Sequence, residues 1–219
     1  MKTNNVVTKK MSFSDDYDLT QAVIELRKTM TRRVCKEIRT GGIIYAKDVE
    51  SLRMYSDENL VEFVMKDGSI IVSVPKYKVG DVVAVAQSYK SVFEESLRYA
   101  IPRWHWLDDH VSEKGFKNKM FVKASEMPHQ IQITGVKIER LQAISEEDCL
   151  REGVEKYFQY TVKYPNIKVP TYRYFKRGII RTCVSSASKC FAYLIDDICG
   201  KGTWKSNPYV FVYSFELIK

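Results

Sequence analysis

Lys28 and Thr31 lie three residues apart in a basic run, Arg27-Lys28-Thr29-Met30-Thr31-Arg32-Arg33. Far downstream stands an acidic segment, Ile144-Ser145-Glu146-Glu147-Asp148-Cys149-Leu150-Arg151-Glu152-Gly153. A lysine, a hydroxyl three residues later and a distant acid can form a small hydrolytic site. The arginines beside them can hold a phosphate or a nucleotide. The plainer alternative is an exposed helix end with solvated cations, and composition alone favours it.

The chain has 219 residues, enough for one large domain or two small ones with a real hydrophobic core. Its 45% hydrophobic and 28% charged residues are ordinary for a globular protein. The 14 Tyr, 10 Phe and 3 Trp suit β-structure and stacking surfaces. A net charge of +8 favours anionic partners such as nucleic acid or nucleotides. Five cysteines without a CxxC pair or a metal-ligand rhythm read as free thiols in a reducing compartment. Residues 1–17 lack the apolar run of a signal peptide, and no stretch approaches a membrane span. The expectation is a cytoplasmic protein without a membrane partner. No P-loop or dinucleotide fingerprint appears, and neither a cofactor nor a metal is expected.

These residues must be positioned by recognisable elements. Residues 1–16 read as a loose segment. Leu19, Ala22, Val23, Leu26 and Met30 are spaced as in a helix over 18–30, although Thr29–Val34 fits an extended run equally well. Gly41-Gly42 marks a turn before a short strand, Ile43–Ala46. Lys66-Asp67-Gly68 between two β-rich runs predicts a hairpin. Val82–Ala86 reads as a buried strand, and 89–117 as a helical or irregular insertion. Strands are expected at 119–124 and 130–139, then a short helix capped by Ser145 and ending near Gly153. Segment 157–181 fits a strand pair or a flap. An amphipathic helix over 184–198 ends at Gly200, and 209–218 closes the chain as a strand. Many short strands with a few helices predict an α+β protein built around a small barrel.

The ordered set of motifs resembles the ASCH domain family, whose fold is a PUA-like β-barrel, and in particular its phage and prophage versions. Arg27–Arg33 is similar to the family's lysine-threonine-x-threonine-x-arginine segment. Tyr77-Lys78-Val79-Gly80-Asp81-Val82 resembles its glycine-aspartate strand start. Ile138–Asp148 with Arg151-Glu152-Gly153 resembles its strand-to-helix segment, and Asn207–Phe215 its last strand. The resemblance spans most of 19–218. It implies one domain over 17–219, a mixed barrel with flanking helices and insertions near 89–117 and 157–190.

One branch of that family is a small bacterial amidohydrolase that deacetylates N(4)-acetylcytidine with a lysine, a threonine and a glutamate. Carried over by position, these are Lys28, Thr31 and Glu152. The resemblance then implies that Thr31 attacks the amide carbonyl, Lys28 takes its proton and Glu152 protonates the leaving amine. This chain departs from that branch in the two insertions and in Arg32, where the branch has an apolar residue. Arg27, Arg32 and Arg33, with Trp104 and Trp106 as stacking rings, are the expected ligand contacts. The implied partner is RNA or a nucleoside or nucleotide. The same cleft can also serve a binding module that reads RNA or a modified base without chemistry.

Other groupings carry less. His105, Asp108, Asp109 and His110 match no ligand spacing and fit a solvated loop. Tyr172, Arg173, Tyr174, Lys176, Arg177 and Arg181 interleave rings and cations as RNA surfaces do, and a solvated edge strand fits as well.

Overall fold

The computed structural model describes residues 7–55, 60–98, 104–160, 166–183 and 186–218. In chain order the strands and helices are β1 (Lys10–Met11), α1 (Leu19–Ile24), β2 (Met30–Val34), β3 (Val49–Tyr55), β4 (Leu60–Met65) and β5 (Ile70–Ser73). They continue with β6 (Val82–Val85), α2 (Tyr89–Arg98), α3 (Trp104–His110), β7 (Gln130–Arg140), α4 (Glu146–Arg151) and β8 (Glu155–Tyr160). The last are β9 (Lys168–Lys176), β10 (Ile179–Cys183), α5 (Ala187–Cys199), α6 (Thr203–Ser206) and β11 (Tyr209–Leu217). The content is mixed α+β.

The main sheet has the order β1-β6-β7-β11-β2. β1 runs parallel to β6, and the remaining pairs are antiparallel. β11 is an interior strand, flanked by β7 and β2, and is buried along most of its length, which explains its run of Tyr, Val and Phe. β1 and β2 are the two edges, yet Arg33 of β2 donates from Nη2 to the Ser12 carbonyl just after β1, at 2.6 Å. The sheet therefore curls until its edges face each other. Among the described residues no backbone ladder closes that seam. A second sheet, β3-β4-β5, attaches beyond β2 through the Ile38 N–H donating to the Val72 carbonyl. The third, β10-β9-β8, packs on α5.

The hairpin at Lys66-Asp67-Gly68 forms as its turn chemistry requires. Gly68 takes φ +83, and Asp67 Oδ1 accepts the Ser69 N–H. Other expectations need correction. Residues 10–13 are not loose: β1 pairs with β6, and Met11 and Phe13 are core. The first helix stops at Ile24, because the Arg27 and Lys28 N–H groups both turn back to the Ala22 carbonyl. Residues 119–124 form 3-10 turns, not a strand, because Lys10 Nζ satisfies the Met120 and Val122 carbonyls. Ile43 and Tyr45 make only isolated bridges.

Most buried side chains form one cluster running from Met11 to Phe215. A smaller cluster centres on Tyr89, where α2 and the 116–127 turns cover β6. Gly115 sits so close to the Tyr89 ring that a Cβ there would lie 2.5 Å from it.

Candidate functional site

Lys28 lies in the link between α1 and β2. Leu26 adopts φ +61, and the Thr29 N–H donates to the Arg151 carbonyl at the end of α4. This docks the link onto α4 and swings the Lys28 side chain inward until it is only 2% exposed. α4 itself starts at Ser145, whose hydroxyl accepts the Asp148 N–H, and ends with Glu152 as its C-cap. Gly153 follows with φ +104. A Cβ there would meet Leu19 Cδ2 at 2.8 Å, so the chain can leave the helix this close to α1 only with glycine.

These two ends meet. Lys28 Nζ donates to Glu152 Oε2 at 2.7 Å and to the Glu152 backbone carbonyl, also at 2.7 Å. The other carboxylate oxygen, Oε1, accepts from Arg32 Nη1 at 3.0 Å. Burial pulls the Lys28 pKa below its ordinary value. The Glu152 charge opposes that fall, but Arg32 shares that carboxylate, and the charges of Arg33 and Arg32 push the same way as burial. Burial also works against the Arg32 charge, but there Glu152 and Glu139 prevail and its pKa rises.

Thr31 sits on β2, paired with Tyr213 of β11. It is 5% exposed, and its hydroxyl makes no hydrogen bond among the described residues. No hydrogen bond joins it to Lys28. Lys28, Thr31, Arg32, Arg33 and Glu152 all line one cleft of about 520 Å³, a size that suits a small organic ligand. α5 supplies one wall of the apolar lining through Phe191, Leu194, Ile195 and Ile198, one helical stripe, and Phe13, Leu19, Val34 and Ile43 supply the rest. Burying Phe191 and Leu194 in the core stabilises this wall by about 1.5–3 kcal/mol each.

The remaining expected contacts fare differently. Arg32 is not available to a ligand. Nε and Nη2 donate to Glu139, Nη2 also to Asp148, and Nη1 to Glu152 and Met30 Sδ. All five of its N–H groups are used. Arg27 lies outside the cleft lining and pairs with Asp18, Glu25 and Glu155. Arg33 is exposed on the cleft, stacks over Phe13, and has no carboxylate partner among the described residues. Trp106 is no base platform. It stacks on His110 at 4.2 Å in the Tyr89 cluster, since α3 is helical and residues two apart do not share a face. The Trp104 side chain lies outside the described residues.

Glu139 and Asp148, the partners of Arg32, carried no distinguishing signal beyond lying in the strand-to-helix segment. The α5 stripe was legible as an amphipathic helix but not as a cleft wall. Arg173 pairs with Glu155, Lys176 with Asp197 and Arg177 with Asp16, so much of the ring-and-cation run is neutralised locally. No group of metal-ligating side chains occurs among the described residues, and no described helix is long and apolar enough to cross a membrane. The chain matches no protein-family model, no curated protein and no solved structure.

Proposed function

We propose that this chain is an ASCH-type protein of PUA-like fold that removes an acyl group from a modified nucleoside base such as N(4)-acetylcytidine. The observation that carries the reading is a buried lysine with a lowered pKa sharing a cleft with an unengaged threonine hydroxyl. A lysine ammonium is useless as a base, and burial favours its neutral amine. The curled sheet with its facing edges supports the barrel part of the reading.

In this reading Thr31 Oγ1 attacks the amide carbonyl carbon and its proton passes to Lys28 Nζ. The tetrahedral intermediate expels the base amine, which takes that proton from Lys28. Water, deprotonated by Lys28, then attacks the Thr31 ester; the acid leaves as the ester C–O bond breaks, and Lys28 returns the proton to Thr31 Oγ1, restoring the free hydroxyl and the neutral amine. Both oxygens of Glu152 already accept hydrogen bonds, from Lys28 and from Arg32, so its role here is to hold Lys28 rather than to protonate the amine. Lys28 alone serves as base and then as acid.

A second reading is a non-catalytic module that binds RNA or a modified base in the same cleft. The missing Thr31–Lys28 hydrogen bond favours it. Release of cytidine from acetylcytidine, followed by chromatography, decides between them. The amidohydrolase reading expects release by wild type and loss with Thr31→Ala and with Lys28→Ala. A wild type that binds the nucleoside without releasing cytidine supports the module.

A further inference from the structure

A second cavity, of about 430 Å³, opens beside the cleft and shares Arg33, Val34 and Lys36 with it. We infer that this cavity is a phosphate-binding subsite for the ligand whose base occupies the cleft. The inference rests on the reading that the cleft takes a nucleoside.

The charge of the lining carries the argument. Lys10, Arg33, Lys36 and Lys76 line the cavity, and no Asp or Glu does. Arg27 and Arg32, on the same stretch of chain as Arg33, each meet three carboxylates. Arg33, Lys36 and Lys76 have no carboxylate partner among the described residues, and all three are exposed. Lys10 is held in place by the Met120 and Val122 carbonyls, which occupy two of its three donors. Its pKa is lowered, first by burial and then by the charge of Lys76. Cations that repel one another in a concave, acid-free site are stabilised by a bound anion.

Hydrogen bonds and ring packing tie the cavity's framework together, as an oriented subsite needs. The Lys76 N–H donates to Tyr213 Oη at 2.9 Å, and Tyr77 Oη donates to the Lys10 carbonyl at 2.7 Å. Tyr77 and Tyr213 pack edge to face at 5.3 Å beneath the cavity. Arg33 is anchored across the seam to the Ser12 carbonyl, so its guanidinium stands between the two cavities. A ligand with its base against Thr31 and Phe191 would present its phosphoryl group past Arg33 to Lys76. Both a mononucleotide and an RNA phosphodiester carry that chemistry.

The test is calorimetric titration at low salt with four probes: cytidine, cytidine 5′-monophosphate, a short cytidine-containing oligoribonucleotide and inorganic phosphate. Wild type is expected to bind the monophosphate about tenfold more tightly than cytidine, the size of one hydrogen bond to a charged group. That ratio should fall to about one in Lys76→Glu and persist in Lys76→Arg. Lys76 lines only the second cavity, and as an exposed residue it tolerates both changes. A ratio of one in wild type, or a gain that survives Lys76→Glu, overturns the subsite and leaves the nucleoside cleft standing. Phosphate that binds wild type and not Lys76→Glu, with no cytidine binding, keeps the anion site and removes the base from the cleft. If neither phosphate nor the monophosphate binds, the inference is wrong. A monophosphate ratio matched by the oligoribonucleotide points to RNA as the source, and one the oligoribonucleotide lacks points to a free nucleotide.

Discussion

Lys28 and Glu152, 124 positions apart, are joined twice: Lys28 Nζ donates at 2.7 Å to both the side chain and the backbone carbonyl of the glutamate. One bond sets the charge, and the other ties the lysine to the end of α4, so the pair's position is decided by a helix terminus and not by side-chain rotamers alone.

Breaking this pair should be costly. Glu152→Ala leaves Lys28 buried beside Arg32 without its counter-charge and is expected to lower stability by about 3–5 kcal/mol in urea unfolding. The double change Lys28→Met with Glu152→Leu should recover much of that loss, since it removes the buried charges together. A double variant as unstable as Glu152→Ala would show that the loss comes from packing.

Lys28 also makes a pH signature. Its folded pKa lies below the ordinary lysine value of 10.5, so the folded state binds fewer protons than the unfolded state between the two values. Stability therefore rises with pH across that window and levels off above 10.5. Tyr77, Tyr89 and Tyr213, raised to about 12 chiefly by burial, act in the opposite direction, and their contribution is lost as pH climbs from 10 to 12. Urea midpoints of wild type minus Lys28→Met isolate the lysine. A difference that is flat below pH 10.5 would contradict its lowered pKa.

Neighbouring arginines should behave as opposites. Arg32→Gln strips the hydrogen bonds from Glu139, Asp148 and Glu152 and is expected to cost several kcal/mol. Arg33→Gln, at an exposed position, should change stability by no more than about 0.5 kcal/mol while weakening nucleotide binding. Thermal melts and titrations of the two variants check both. Equal stability losses would mean that Arg33 is as structural as Arg32.

Gly153→Ala is expected to destabilise by about 1–3 kcal/mol, because φ +104 is strained for alanine and its Cβ would collide with Leu19. The same push moves Glu152 away from Lys28, so a titration following ligand affinity should weaken alongside the melting temperature. A variant that melts like wild type would show that the turn can rearrange.

Much of the α+β framework was legible because its signals are local. The Asp67-Gly68 hairpin, the Ser145-capped helix, the amphipathic helix before Gly200 and the aromatic last strand each follow from neighbours within a few positions. The misread stretches are those settled by distant partners. Lys10 holds 119–124 in turns by taking its carbonyls, and a strand partner draws Lys10–Met11 into the sheet.

The candidate site divides the same way. Residue type and spacing, read with the motif resemblance, were enough to single out Lys28, Thr31 and Glu152 as one group. Which arginine is free was a tertiary decision. Arg32 and Arg33 are adjacent and chemically identical, but β2 points them to opposite faces, one onto three buried carboxylates and the other onto open cavities. The period of a strand is in the sequence; the acids waiting on one side of it are brought there by β7 and α4, more than a hundred residues away.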